Sequence, residues 1–312
     1  MQHTILVTGI NGFVGRHLAE ALHASGITVI GLGTDTSVNE SLSEIVSEYY
    51  QCDLTDQVQV DSLPLEKVNG IVNLAGLAAV GPSFDNPELY MRVNTAVLST
   101  LCKSAMDKNK VIRIVSISSG AVYASNQPQP LTELSMTDAS SSPYAASKLA
   151  MEQIAHDFAT QGLTCIVARP MNHCGPYQGP GFIVPDLAQQ LVAYEKGSSD
   201  KILVGNLDAK RDYTDVRDIV RAYMLLLDKG NSGEVYNICS GKPRSGHDIL
   251  AALQQASGIE PPVEQDLSKM RASDSPVIFG DHSKLSDHVG WQPTIAFEDT
   301  MRDVVADWRS KI

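Results

Sequence analysis

The chain has 312 residues, enough for one large or two modest domains with a sizeable core. Hydrophobic residues make up 43% and charged residues 19%, a balance ordinary for a soluble globular protein. A net charge of -12 argues against a nucleic-acid or anionic-membrane surface, while leaving room for a locally basic site that takes an anionic small molecule.

The chain enters a strand at once. No signal-peptide pattern precedes it and no apolar run is long enough to span a bilayer, so the expected location is the cytoplasm. Residues 5–7 read as strand, 8–15 as a glycine turn and 16–25 as helix. Gly9, Gly12 and Gly15 recur as Gly-x-x-Gly-x-x-Gly. Gly9 permits the tight turn, Gly12 lets a pyrophosphate approach the backbone, and Gly15 lets the helix pack on the strand. With Asn11, Phe13, Val14 and Arg16 they form a candidate dinucleotide cradle. A second strand, 28–33, ends near the adenosine ribose of such a ligand. There Asp35 is either a ribose ligand that favours NAD or a plain turn residue. Arg16 is either a partner for the 2′-phosphate of NADP or a solvated first-turn arginine, so these residues leave the cofactor open.

The alternation continues. Residues 49–54 read as a third strand, ending in Asp53 and Leu54, a pair suited to flank an adenine. Residues 70–76 form a fourth, with Ala75 and Gly76 small enough at its tip to let a flat cofactor pass. A helix over about 87–106 carries Asn94, which ties loop backbone together or faces solvent. A fifth strand, 111–117, delivers Ser118 and Ser119, and a sixth covers 164–170. Strands alternating with helices predict a parallel sheet covered on both faces: an α/β, Rossmann-type doubly wound fold. Residues 124–142, rich in Pro, Ser, Thr and Gln, are either a lid above the strand tips or a mobile surface loop.

A helix then opens on Ser142-Pro143, with Ser141 or Ser142 as its cap. Tyr144 and Lys148 stand four apart on one face of it. An ammonium beside a phenol favours the phenolate. Such a tyrosine can exchange a proton with a carbinol oxygen while a hydride moves at the same carbon. Alone, the pattern also describes two side chains on a solvated helix face.

Beyond residue 170 the chain reads as cap and scaffold. Val216, Ile219, Val220, Tyr223, Leu226 and Leu227 recur at helical spacing over 215–229 and are expected in the core. Ser245-x-x-Asp248 is a capping-box start for a helix over 245–256, and 297–308 is a closing amphipathic helix. These predict a smaller, discontinuous α/β substrate domain. The expected division is 1–170 with about 207–240 for the dinucleotide, and about 171–206 with 241–312 for the substrate. The five cysteines are scattered, with no Cys-x-x-Cys, and read as buried free thiols. No metal-ligand cluster stands out.

Gly9, Gly12, Gly15, Ser119, Tyr144 and Lys148 follow the order and approximate spacing of one group. The chain resembles the extended short-chain dehydrogenase/reductase family, in its nucleotide-sugar branch. Ala-Arg-Pro-Met-Asn-His-Cys-Gly-Pro at 168–176 is similar to the Arg-x-x-Asn-His-x-Gly-Pro segment of GDP-sugar members. Val-Gly-Asn-Leu at 204–207 and Arg-Asp-Tyr-Thr-Asp-Val-Arg-Asp at 211–218 resemble a second such run. Residues 235–241, 270–274 and 290–293 extend the likeness over nearly the whole chain. Within the branch it is strongest to the GDP-4-dehydro-6-deoxy-D-mannose reductases, with the GDP-mannose 4,6-dehydratases as near relatives.

The resemblance implies roles. Ser119 would bond the reacting sugar oxygen, Tyr144 would be the acid/base, Lys148 would bind the nicotinamide ribose and tune Tyr144, and Asn94 would hold the active-site backbone. Asn172, Arg211 and Arg271 would take the sugar nucleotide, the two guanidiniums gripping its diphosphate. The cofactor would be NADP(H), with NAD(H) as the alternative, and the assembly a homodimer. Dehydratases carry a glutamate where this chain has Ala121, and a methyl group cannot abstract a proton. The expected reaction is therefore reduction of a C4 ketone, giving GDP-D-rhamnose or GDP-6-deoxy-D-talose. A 4-epimerase with tightly held NAD is the alternative. A non-catalytic dinucleotide sensor would be expected to lack the Ser-Tyr-Lys trio.

Overall fold

The computed structural model describes residues 3–267 and 275–312. In chain order the strands are β1 (Thr4–Thr8), β2 (Thr28–Gly33), β3 (Val46–Gln51), β4 (Gly70–Asn73), β5 (Arg113–Ile117), β6 (Thr164–Pro170), β7 (Asn172–Cys174), β8 (Ile202–Val204), β9 (Lys210–Asp215), β10 (Val235–Ile238), β11 (Pro243–Ser245), β12 (Val263–Gln265) and β13 (Val277–Ile278). The helices are α1 (Phe13–Ala24), α2 (Gln57–Asp61), α3 (Val80–Ser83), α4 (Pro87–Lys108), α5 (Pro143–Thr160), α6 (Ile183–Glu195), α7 (Val216–Lys229), α8 (Gly246–Ser257), α9 (Ser283–Val289) and α10 (Phe297–Lys311).

Seven parallel strands form the main sheet in the order β10-β6-β5-β4-β1-β2-β3. Both faces are covered, as an all-parallel sheet requires. α1 and α7 pack apolar side chains such as Leu18, Leu22, Ile219 and Tyr223 on one face. α4 and α5 bring Leu98, Leu101, Met151 and Ala155 to the other. The strand order reverses between β1 and β4, and that switch point is where such sheets bind ligands. Thr8 ties the two tips together: its hydroxyl donates to Asn73 Oδ1 (2.8 Å) and accepts from the Ala75 amide (2.9 Å).

α1 starts so close to β1 that its third glycine has no alternative. A Cβ on Gly15 would lie 2.4 Å from the Gly9 carbonyl oxygen, and Gly9 itself sits at φ +63°. Ser142 caps α5 by accepting from the Ala145 amide (3.0 Å), and Ser245 and Asp248 form the capping box of α8. The six apolar positions of α7 singled out above are all buried.

Three strands depart from the expected bounds; the fourth ends at Asn73 rather than at 76. The third lies over Val46–Gln51 rather than 49–54. Its start pairs with β2 through a bulge that turns out Ser47, so polar residues stand where a strand pattern would be apolar. Its end is set by Asp53, whose carboxylate accepts from the Thr55 amide and turns the chain. The fifth begins at Arg113, because Val111 is 85% exposed in the preceding turn.

The smaller unit centres on β9, flanked by β11 and β13 and paired also with β7; β8 and β12 form a separate two-stranded ribbon. α6, α8 and α10 enclose its apolar cluster, which includes Leu187, Leu253, Met301 and Trp308. The aspartates of the 211–218 run are its joints. Asp212 accepts from the Ser240 and Gly241 amides (2.8 and 2.9 Å). Asp215 caps α7 and accepts from Thr300 (2.7 Å). Asp218 accepts from the Thr294 and Ile295 amides (each 2.9 Å).

Trp291 is 0% exposed, packs into the α1–α7 core and donates its indole N–H to the Asp218 carbonyl (2.9 Å). Trp291→Ala is expected to cost about 3–5 kcal/mol, read as a lowered midpoint in chemical denaturation.

Candidate active site

The cradle at the β1 tip is built from groups without side chains. The Gly12 amide donates to the Gly9 carbonyl (3.0 Å), closing the turn. α1 then begins at Phe13 with no side chain capping its first amides, which leaves that positive end for an anion. Across the switch point, Ala75 and Gly76 leave the β4 tip low. A Cβ on Gly76 would lie 2.7 Å from Asn94 Oδ1 and 4.0 Å from Lys148 Nζ. A glycine cradle, an uncapped helix start and a lysine beside the β4 tip fit the donor set that a nicotinamide dinucleotide requires.

Asn94 is buried in α4. It accepts from the Leu77 amide (2.8 Å) and donates to the Leu77 carbonyl (3.2 Å) and the Ser147 hydroxyl (2.9 Å). One side chain thus fastens the loop after β4 to the helix that carries Tyr144 and Lys148. Among the sequence expectations for Asn94, tying loop backbone is what the structure shows.

Ser119, at the β5 tip, stands beside the Tyr144 phenol and draws its pKa down. It also accepts from the Ala121 amide (3.1 Å), which fixes its rotamer. Lys148 Nζ donates to the Ile117 carbonyl (2.8 Å) and lies 5.9 Å from the Tyr144 ring centroid. Tyr90 of α4 meets the other side of that ring edge-on at 6.4 Å. The trio is therefore brought together, on a strand tip and the first two turns of one helix.

The electrostatics differ from the simplest expectation. Burial raises the Tyr144 phenol above its usual value, the Ser119 hydrogen bond draws it down, and Tyr90 raises it slightly. Lys148 itself, 7% exposed, is pushed down to about 8 by burial, with the Glu152 carboxylate opposing that fall.

The other expected ligands are placed as follows. Asn11 donates to the Asp35 carboxylate (2.8 Å) and the Ser37 carbonyl (3.0 Å), so it organises the loop after β2. Phe13 stacks on His173 (centroids 6.1 Å, planes 8° apart), joining the cradle to the 172–176 loop. Val14 is partly buried against the core. Arg16 pairs with Glu20 (3.0 Å) and lies 3.5 Å from the Tyr177 ring centroid, which turns it from the β2 tip toward that same loop. Asp53 turns the chain after β3, and Leu54 is buried, its carbonyl accepting from Thr100 (2.6 Å). Asn172 hydrogen-bonds the Tyr213 phenol. Arg211 donates to the Lys210 and Ser275 carbonyls (2.8 and 3.1 Å). Arg271 lies outside the described residues. The 124–142 loop is stitched down: Leu131 and the 279–281 segment exchange backbone bonds of 2.9 and 2.8 Å, and Ala124 and Asp138 bond Met136 and Val122.

A buried group that the sequence reading passed over lies directly beneath the trio. Glu152 accepts from Arg169 Nε and Nη2 (2.8 and 2.6 Å) and from the Ser118 hydroxyl. Its signal was present: Glu152 is four residues past Lys148, on the same helix face. Among the described residues, no His, Cys, Asp and Glu cluster could hold a metal ion, and no helix is long and apolar enough to cross a membrane.

Asn94→Ala is expected to leave the Leu77 amide and Ser147 hydroxyl unpaired. That should lower the local opening free energy of the loop after β4 by about 1–3 kcal/mol, seen as faster hydrogen exchange at Leu77.

Comparison with known proteins agrees with this geometry. The chain is 30% identical to a GDP-6-deoxy-D-mannose reductase of Pseudomonas aeruginosa, over 100% of this chain and 99% of the relative. It is 29% identical to a UDP-glucose 4-epimerase of Bacillus subtilis, over 98% and 96% of the two chains. A solved structure of RMD from Pseudomonas aeruginosa complexed with NADPH superposes with a TM-score of 0.88 at 29% identity, covering 100% of both chains. Residues 5–239 match the NAD dependent epimerase/dehydratase family, and the chain belongs to that family.

Proposed function

We propose that the protein reduces the C4 ketone of GDP-4-dehydro-6-deoxy-D-mannose, giving GDP-D-rhamnose or GDP-6-deoxy-D-talose. The observation that carries this reading is the pairing of Ser119 with the Tyr144 phenol above a buried Lys148, facing the glycine cradle, in a chain matched end to end by a GDP-6-deoxy-D-mannose reductase. A bound NAD(P)H supplies the hydride. NADP(H) is supported by the NADPH complex of the similar structure, and NAD(H) is the alternative.

In this reading Tyr144 gives a proton to the C4 oxygen, which Ser119 holds by a hydrogen bond, so that the carbonyl becomes a carbinol as the hydride arrives. Lys148 binds the nicotinamide ribose and its charge favours the phenolate left behind. Gly9, Asn11, Gly12, Phe13, Val14, Gly15 and Arg16 line the pyrophosphate side, Asp53 and Leu54 the adenine, Ala75, Gly76 and Asn94 the nicotinamide side. Asn172, Arg211 and Arg271 take the sugar nucleotide. Residues 1–170 with about 207–240 are assigned to the dinucleotide unit and about 171–206 with 241–312 to the sugar unit, although β9 is the central strand of the smaller sheet and Trp291 packs in the larger core. The chain works as a cytoplasmic homodimer, with α4 and α5 as the paired helices; the exposed Leu89 and Met91 of α4 support that face. Dehydration is disfavoured because Ala121 follows Ser119 in the turn where an acid/base carboxylate would be needed.

A second reading, a nucleotide-sugar 4-epimerase, is supported by the likeness to a UDP-glucose 4-epimerase over 98% of the chain. The test mixes the enzyme with NADPH or NADH and GDP-4-dehydro-6-deoxy-mannose made in place by a dehydratase, following nicotinamide absorbance and identifying the product by NMR. Loss of reduced cofactor equal to product formed supports the reductase. No oxidation, together with NAD that stays bound through gel filtration and interconverts nucleotide hexoses, replaces it with the epimerase. Tyr144→Phe is expected to lower kcat by about 10²–10⁴-fold with the fold intact. Because Lys148 titrates at about 8, kcat/KM is expected to fall as pH rises through that value, where the lysine loses its charge.

A further inference from the structure

A chain of buried polar groups runs from the active site into the protein and has no part in binding or chemistry as described. Glu152 and Arg169 are 9% and 6% exposed and meet through two parallel hydrogen bonds. Arg169 Nη1 also donates to the Tyr123 hydroxyl (3.1 Å), which donates to Asn237 Oδ1 (2.6 Å). Asn237 in turn donates to the Leu131 carbonyl (2.9 Å), and its amide to Glu133 (2.7 Å). At the other end, the Ser118 hydroxyl donates to Glu152, and Ser118 is the residue before Ser119. Glu152 also lies one helical turn beyond Lys148.

Taking a carboxylate and a guanidinium out of water is costly before pairing, and an apolar pair of the same volume often folds as well or better. Burial of this pair is thus poorly explained by stability alone, and its neighbours suggest another reason. Both catalytic elements hang from one carboxylate: the β5 tip through Ser118, and the α5 turn that carries Lys148 through the helix itself.

We propose that Glu152 is a positioning residue for the reaction, held by Arg169 so that it fixes the β5 tip bearing Ser119 and supplies the counter-charge to Lys148. The kinetic part of this inference rests on the reductase reading above; the binding part does not. The titratable groups that face Lys148 are Tyr144, its ring centroid 5.9 Å away, and Glu152, both on α5; Arg169 of β6 stands behind Glu152, and Tyr90 of α4 lies against the Tyr144 ring. Of these, Glu152 acts on the lysine against its burial. Arg169 bonds both oxygens of the carboxylate and holds it in place.

The test uses Glu152→Gln, which keeps the shape and removes the charge, and the double variant Glu152→Gln/Arg169→Met, which leaves no unpaired buried ion should the single variant fail to fold. Glu152→Asp retains the charge and serves as the rescue. Two pH profiles are taken: NADPH and NADH binding by fluorescence, which needs no sugar, and kcat/KM with the keto-sugar. The expected result is that loss of Glu152 moves the alkaline midpoint of both profiles down by about one pH unit. It should also lower kcat about tenfold with little change in the sugar KM. Glu152→Asp should return the midpoint most of the way. An unchanged midpoint in whichever charge-free variant folds, with kcat and KM altered equally or not at all, would assign the pair a purely structural role and overturn the proposal. Wild-type enzyme that binds NADPH or NADH but leaves the keto-sugar untouched would overturn the reductase reading, while the binding profiles still decide the role of Glu152.

Discussion

Keeping a lysine out of water is the constraint around which this site is arranged. Lys148 stands on α5 between α4 and the sheet, and burial works against its charge. The surroundings answer with a carbonyl and a carboxylate: the Ile117 carbonyl accepts a hydrogen bond from it, and Glu152 lies a turn beyond. The bond to Ile117 sets the height of α5 over the β5 tip, which brings Tyr144 to Ser119. Asn94 then fixes the loop after β4 against the same helix. Removing any of these would loosen the others, since each is held through α5.

Much of this was legible in the sequence because it depends on local rules. The glycine spacing marks a strand-turn-helix, since only glycine permits the 2.4 Å approach at Gly15. The Ser-Pro start of α5 and the four-residue step from Tyr144 to Lys148 follow from helix geometry alone. The α7 stripe follows from the helical period. What was not legible depends on tertiary placement. No local pattern announces the bulge at Ser47, or that Asp53 ends a strand. Arg16 was open between two roles, and its course toward Tyr177 depends on a loop 160 residues away in sequence.

The 211–218 run illustrates the limit well. Its likeness to a family marks Arg211 as a ligand of the sugar nucleotide's diphosphate. Its arginine does stand on the central strand of the smaller sheet, paired on both sides, but its three aspartates serve as joints, binding the amides of 240–241, the start of α7 and the amides of 294–295. Each carboxylate is buried at 4% exposure or less, where accepting several hydrogen bonds is the condition for remaining folded. A sequence pattern can thus hold a binding residue and the frame that places it, and spacing alone does not separate the two.

The position of β10 bears on how the molecule is made. β6 ends at Pro170 and its outer neighbour begins at Val235, so the chain must traverse β7, α6, β8, β9 and α7 before the sheet is finished. During synthesis the sheet therefore waits with the edge of β6 unpaired, a row of free amides and carbonyls over the apolar sequence Thr-Cys-Ile-Val-Ala. Parallel pairing across so long a loop is slow to form. A chain halted before β10 would keep that edge as a template for intermolecular strand addition, so the cell's risk of aggregation from this protein is concentrated in the interval between the emergence of β6 and that of β10.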